Sequence, residues 1–139
     1  DDSRGVVLAV ERALRASGLA PKDIDVIHAA ANGGGNPDRI EAEAYGLLFA
    51  LPAGPFITSL KGAAGESFSS GGIRAAALAL SIREGKVPPT LGLTDPIGRL
   101  NVLTGTSVKA DIRCGLLNGI SFGGTNASLI FKRASSDGC

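Results

Sequence analysis

The sequence predicts an α/β domain with a mixed, mostly parallel sheet between helical layers, ending in an antiparallel hairpin. Short apolar segments alternate with helical segments through the first two-thirds of the chain, which is typical of parallel sheets covered by helices. Near the end, Gly123-Gly124-Thr125-Asn126 separates two strand-like runs, a pattern that indicates a hairpin. The length of 139 residues fits one domain.

The first element is a predicted helix over residues 3–18. Val6, Val10 and Leu14 follow the three-and-four spacing of one helix face. Gly18 supplies the stop, because glycine accepts the left-handed conformation that follows many helices. The sequence therefore opens on an amphipathic helix that covers the sheet.

The later elements follow in alternation. They are a turn at 21–23, a strand at 24–30, a helix from Asp38 to about Ala50, a strand at 56–60, an Ala-rich interior helix at 73–84 ended by Gly85, a short strand near 100–103, and strands at 114–122 and 128–133. Asn36 and Pro37 are a favourable N-cap and N1 pair for the second helix. Arg74 and Arg83 of the Ala-rich helix are expected to face solvent or a partner.

The start of the chain is unusual in two respects. There is no methionine, the first residues are Asp1-Asp2, and no strand precedes the first helix. We therefore expect a piece of a longer chain. We also expect a sheet that lacks its central strand and leaves backbone groups unpaired.

The composition excludes several classes of protein. With 44% hydrophobic and 19% charged residues and a net charge of +1, the chain is neither disordered nor basic enough to indicate nucleic acid as a partner. It has no apolar run of membrane-spanning length and no signal peptide, so we expect no membrane association and a cytoplasmic location. One histidine and two cysteines argue against a metal site or a disulfide scaffold. Cys114 is expected to be a strand thiol.

Four segments in this order resemble the C-terminal half of β-ketoacyl-[acyl carrier protein] synthases, members of the thiolase-like superfamily. They are Val26–Gly34, Thr58–Gly65, Gly85–Thr90 and Asn118–Asn126. The resemblance runs from about Ser3 to Lys132. It implies that residues 1–139 are a thiolase-like C-terminal domain with a polar tail at 134–139.

The resemblance also implies a chemistry from which this chain departs. The family condenses an acyl thioester with malonyl-carrier protein, using a cysteine in its N-terminal half and two histidines in its C-terminal half. Here the histidine positions are Ala30 and Glu66, while the family lysine is kept as Lys61 and a family glutamate falls at Ala75. Alanine has no donor, and an ionised glutamate only accepts hydrogen bonds. This pattern resembles the chain-length-factor partners of polyketide synthases.

The remaining site residues are carried over from the resemblance, with structural alternatives left open. Asn32, Gly34, Phe122, Gly123 and Gly124 match positions that line the site for the phosphopantetheine arm and the acyl chain. Phe122 is either an aromatic gate or a core residue. Lys61 is either a retained functional lysine or a partner of Glu66 or Glu41 in a salt bridge. His28 is predicted to be a satisfied sheet residue rather than a displaced base.

Three hypotheses for function follow. The first is a catalytically degenerate, chain-length-factor-like part of a ketosynthase that forms C–C bonds in fatty acid or polyketide synthesis. The second is a divergent synthase with Glu66 as base, which would need a raised pKa. The third is a non-enzymatic acyl or carrier-protein binding module. The expected partners are acyl carrier protein and an active ketosynthase subunit or the chain's own N-terminal half, with a dimer in the full-length form. No covalently bound cofactor is expected.

Overall fold

The computed structural model describes residues 2–50, 53–67 and 70–135. The helices are α1 (Arg4–Ser17), α2 (Gly35–Leu48), α3 (Lys61–Ala64) and α4 (Ser70–Glu84), and single turns of 3-10 helix lie at Pro21–Asp23 and Phe122–Gly124. The strands are β1 (Val26–His28), β2 (Phe56–Thr58), β3 (Lys86–Val87), β4 (Val108–Lys109), β5 (Cys114–Ile120) and β6 (Asn126–Lys132). The predicted alternation of helices and strands is confirmed.

The main sheet has the order β2-β1-β5-β6. Strand β1 runs parallel to both neighbours, so that Ile27 lies between Ile57 of β2 and Leu116 of β5. Strands β5 and β6 form the predicted antiparallel hairpin, with Leu117 opposite Leu129. The sheet is therefore mixed and mostly parallel, as the sequence predicts.

The expectation of a sheet without a central strand is wrong. Both inner strands, β1 and β5, are paired on both sides. The reason is that strand order in space differs from order along the chain, and β5 supplies the neighbour that β1 needs. Outside β2, Val102 forms an isolated parallel bridge with Ile57. The strand predicted near 100–103 is therefore a single bridge in the structure.

Helices pack on both faces of the sheet. On one face, α1 and α2 bury Val10, Leu14 and Tyr45 against the sheet. On the other face, Leu78 of α4 packs over β5 so closely that a Cβ on Gly115 would lie 2.5 Å from Leu78 Cδ1. Helix α4 is nevertheless not a fully interior helix, because its Ile73 and Leu80 are exposed.

The predicted start of one helix needs correction, and several short elements were not predicted. Helix α2 begins at Gly35 with Gly34 as its N-cap, so Asn36 and Pro37 lie inside its first turn. Helix α3 and the β3–β4 pair were not predicted, because four-residue and two-residue elements carry almost no periodicity. The end of the polar tail, residues 136–139, lies outside the described residues.

Candidate functional site

The predicted site residues gather where the parallel strands end. The segments that follow β1 and β2, together with the end of β5, meet at one edge of the sheet because the three strands are parallel. In open α/β sheets this carboxyl edge is where ligands bind. The edge therefore holds Ala30, Asn32, Lys61 and Glu66 in one neighbourhood.

Ala30 is held by its backbone. Its N–H donates to Glu41 Oε1 at 2.8 Å, and the residue is only 7% exposed. The same carboxylate oxygen accepts from Tyr45 Oη at 2.6 Å and from Asn118 Nδ2 at 2.8 Å. The Ala30 side chain is a methyl group, so the position offers a substrate no side-chain hydrogen bond.

Glu41, which the sequence indicated only as a possible salt-bridge partner of Lys61, is a buried anchor. Burial raises the pKa of this carboxyl, while hydrogen bonds from Tyr45, Ala30 and Asn118 and the charge of Arg74 lower it. Its second oxygen, Oε2, has no hydrogen-bond partner among the described residues. The available sequence signal was Tyr45, which stands four positions later on the same helix face.

Arg74 is buried, which corrects the prediction that it faces solvent or a partner. One nitrogen, Nη2, donates to the carbonyls of His28 at 3.2 Å, Ala29 at 2.8 Å and Asn118. The guanidinium thus joins the end of β1 to the end of β5. Arg83, the other arginine of α4, does lie at the surface, where it pairs with Glu84 at 2.8 Å.

Glu66 is tied into a small polar cluster. Its Oε2 accepts from Lys61 Nζ at 2.6 Å and from Asn32 Nδ2 at 2.8 Å. The hydrogen bond from Lys61, supported by that from Asn32, holds the pKa of Glu66 below its ordinary value. A general base near neutral pH needs the opposite shift, so the condition attached to the Glu66 base hypothesis is not met. Of the two partners predicted for Lys61, the ion pair is with Glu66.

The loop from 32 to 34 is shaped by hydrogen bonds to carbonyl and carboxylate oxygens. The Asp38 carboxylate accepts from the N–H groups of Asn32 at 3.1 Å and Gly33 at 2.9 Å. A Cβ on Gly34 would lie 2.8 Å from Asn32 Oδ1. Asn32 and Gly34 thus share a tight turn beside Glu66, and their role as substrate-binding residues stays a prediction.

The other predicted substrate-binding residues lie in the hairpin turn. Gly123 and Gly124 both have positive φ, at 80° and 79°, a conformation that favours glycine. The Gly124 carbonyl accepts from Asn126 Nδ2 at 3.1 Å. The side chain of Phe122 lies outside the described part of the chain. The contribution of these three residues to a pocket stays a prediction.

His28 is a buried, neutral strand residue. It is 1% exposed, and burial together with the nearby charge of Arg74 lowers its pKa to about 4. Its Nε2 lies 3.4 Å from Ser81 Oγ, whereas Nδ1 has no partner among the described residues. The prediction of a sheet residue is right, but its hydrogen-bonding capacity is only half satisfied.

Replacing His28 by glutamine should remove a pH dependence from stability. The unfolded histidine titrates near 6.5, whereas the folded one titrates near 4, so acidification favours the unfolded chain. The histidine contribution is complete above pH 6.5 and falls as pH drops to 4, by about 3 kcal/mol. Urea unfolding of both proteins between pH 4 and 7 measures it. A constant difference between the two would contradict the assignment, and the chain has no other histidine to interfere.

Cys114 is a half-buried free thiol in β5. Burial raises its pKa, which disfavours the reactive thiolate. This agrees with the prediction of a strand thiol. None of the helices in the described residues is long and apolar enough to cross a membrane.

Comparison with known proteins identifies the family. The sequence profile described as "Beta-ketoacyl synthase, C-terminal domain" matches residues 1–94. The chain belongs to the β-ketoacyl synthase family. Among curated proteins, this β-ketoacyl synthase domain is 40% identical to a mitochondrial 3-oxoacyl-[acyl-carrier-protein] synthase of Arabidopsis thaliana, over 94% of this chain and 30% of the relative. It is 35% identical to 3-oxoacyl-[acyl-carrier-protein] synthase 2 of Synechocystis, over 95% of this chain and 33% of the relative.

Solved structures give the same answer for the fold. The ishigamide ketosynthase/chain length factor superposes with a TM-score of 0.90 at 30% identity, covering 96% of this chain and 34% of that one. The PfaC keto synthase–chain length factor superposes with a TM-score of 0.85 at 25% identity, covering 96% and 16%. The thiolase-like ketosynthase fold is thereby confirmed. The domain spans about a third of the length of the curated relatives it matches.

Proposed function

We propose that this β-ketoacyl synthase domain serves as a catalytically degenerate, chain-length-factor-like part of a ketosynthase. The observation that carries the proposal is the state of the two positions matched to the family histidines. Ala30 presents a methyl group and is engaged through its backbone, and Glu66 is an ion-paired acceptor with a lowered pKa. Neither can donate to a developing enolate oxygen, and each lost donor of this kind typically costs about 10²–10³ in rate.

The intact scaffold around these positions supports a binding role instead. Buried Glu41 and Arg74 hold the ends of β1 and β5 in place. The scaffold is therefore kept, although the positions matched to the family histidines are Ala30 and Glu66. Two of the structural neighbours are named for a ketosynthase together with a chain length factor. In this role the domain shapes the acyl site, receives the phosphopantetheine arm of acyl carrier protein, and pairs with an active synthase in a cytoplasmic dimer.

A decarboxylation assay tests the proposal. The protein is incubated with malonyl-acyl carrier protein alone, and then together with an active ketosynthase. We expect no release of carbon dioxide by the protein alone, and condensation only when the active subunit is present. The matched variant Glu66→Gln removes the carboxylate but keeps the side-chain shape, and condensation in the pair should continue.

The outcomes separate the three hypotheses. Turnover by the protein alone that disappears in Glu66→Gln would support a divergent synthase and overturn the proposal. Binding of acyl carrier protein without binding of any ketosynthase would favour the binding module.

A further inference from the structure

Lys61 and Asn32 direct their side-chain donors at one carboxylate oxygen. Lys61 Nζ lies 2.6 Å and Asn32 Nδ2 lies 2.8 Å from Glu66 Oε2. The two donors come from segments that follow different strands, β2 and β1. The side chain of Lys61 is only 10% exposed, whereas that of Glu66 is 48% exposed. The oxygen therefore rests on a largely buried ammonium, while the acid that supplies it is open to solvent.

Both donors are held by contacts that do not involve this carboxylate. Asn32 Oδ1 accepts from the Gly34 N–H at 2.9 Å, which fixes the orientation of the amide and leaves Nδ2 free to donate outward. Lys61 is the first residue of α3, and a Cβ on Gly62 of that helix would collide with the Leu91 carbonyl. Because these contacts fix both segments, we expect the pair of donors to remain in place without the carboxylate.

The charges around Lys61 make its partner necessary. Its ion pair within the described part of the chain is with Glu66. Asp38, the acid of the neighbouring loop, accepts from the backbone N–H groups of Asn32 and Gly33. A largely buried charge that loses its partner is costly, so removal of the Glu66 carboxylate leaves an ammonium that favours another anion.

The acid is attached to the chain beyond the helix that carries the lysine. Gly65 follows α3 and has a φ of 78°, a conformation that favours glycine. Glu66 comes next, so its carboxylate reaches Lys61 from outside the helix. The two donors also line a cavity of about 260 Å³, which leaves open space beside them for an external molecule.

We propose that Lys61 and Asn32 form a binding site for a small carboxylate, and that Glu66 occupies this site from within the same chain. An external carboxylate has the same charge and the same acceptor oxygens as the Glu66 side chain. It therefore binds the two donors when the Glu66 carboxylate is removed or displaced. In the unmodified chain, Glu66 acts as a tethered competitor that keeps other carboxylates out.

Nuclear magnetic resonance titration of Glu66→Ala with sodium acetate tests the proposal. Acetamide is the matched neutral probe, and sodium chloride at the same ionic strength controls for the screening of surface charges. We expect saturable shifts of the Asn32 side-chain amide signals with acetate. Acetamide should bind at least about tenfold more weakly, because hydrogen bonds between charged groups are stronger than those to a neutral acceptor. Equal affinities for acetate and acetamide would overturn the proposal.

The unmodified chain is the second arm of the titration. It should bind acetate at least about tenfold more weakly than Glu66→Ala, because a tethered group is present at a high effective concentration. If the two proteins bind acetate equally well, Glu66 does not occupy the site and the proposal is wrong.

Two further variants locate the binding. Adding Lys61→Met to Glu66→Ala removes the ammonium and should abolish the response to acetate. Glu84→Ala is the matched control, because it removes the acid of an exposed pair with Arg83 on α4, and it should give no saturable response. Acetate binding that survives Lys61→Met, or that is equally strong in Glu84→Ala, would show that no specific site exists.

Urea unfolding gives an independent readout, because a ligand that binds only the folded chain stabilises it by mass action. Relative to sodium chloride, acetate should raise the urea midpoint of Glu66→Ala more than that of the unmodified chain, and the absence of this difference would contradict the site. Should Glu66→Ala not fold, Glu66→Ser replaces it in both measurements. The test uses neither a ketosynthase nor a carrier protein, so its result is independent of the proposed function.

Discussion

Replacing Arg74 by methionine is expected to remove about 3–5 kcal/mol from the free energy of unfolding, the usual effect of breaking a buried charged network. Methionine has a long unbranched side chain like arginine, but it cannot donate hydrogen bonds. The carbonyls of His28, Ala29 and Asn118 therefore lose their common donor. It also removes the positive charge that partly offsets the buried Glu41 carboxylate. Urea unfolding at neutral pH measures the loss.

The same helix provides the control for this prediction. Arg83 is exposed, and its ion pair within the described part of the chain is with its neighbour Glu84, so Arg83→Met should change stability by no more than about 0.5 kcal/mol. Arg74→Lys keeps the charge on a shorter side chain and should fall between the two. Equal stability of the Arg74→Met and Arg83→Met proteins would show that the carbonyl contacts contribute nothing.

Replacing Glu41 by alanine should have a similarly large effect. Three donors lose their acceptor together: the Ala30 N–H, the Tyr45 hydroxyl and the Asn118 amide. Leaving a buried donor unsatisfied costs about 1–3 kcal/mol, and the variant also leaves a cavity. We expect a loss of about 4 kcal/mol or more, measured as a shift of the urea midpoint.

Glu41→Gln distinguishes the hydrogen bonds from the charge. The glutamine carbonyl can still accept from these donors, so most of the stability should be retained. As a matched exposed control, Glu43→Ala on the same helix loses a surface pair with Arg39 and should cost at most about 1 kcal/mol. If Glu41→Ala costs no more than Glu43→Ala, the buried network is not a source of stability.

Much of the fold could be predicted from local patterns. The three-and-four spacing of Val6, Val10 and Leu14 gave α1 within a residue at each end, and the glycines after β5 gave the hairpin. These signals succeed because the residues that make each contact lie close together in the chain. The start of α2 was misplaced because Asp38 accepts backbone N–H groups from the preceding loop, an interaction that favours an earlier start than the Asn-Pro pair indicates.

The site was only partly predictable. The predicted elements placed Asn32, Lys61 and Glu66 in the segments after their strands, as the structure has them. Ala30 was predicted at the end of a strand over 24–30, whereas β1 ends at His28. These positions share one edge because parallel strands bring their carboxyl ends together. Glu41 and Arg74, which bond the strand ends at this edge of the sheet, were not predicted as buried. In the sequence they look like ordinary surface charges on their helices. Their burial depends on groups far away in the sequence.

By itself, the sequence determined the longer helices and the strands of the main sheet, their order and the hairpin. The resemblance added the prediction that two histidine positions of the family are substituted here. Only the tertiary structure decided that β1 pairs with β5 and that Arg74 turns inward. Arg74 meets its three carbonyl acceptors across 44 to 46 residues of chain. A charged side chain is buried where other groups pair or hydrogen-bond with it. For Arg74 those groups lie far away in the sequence, so no local pattern predicts its burial.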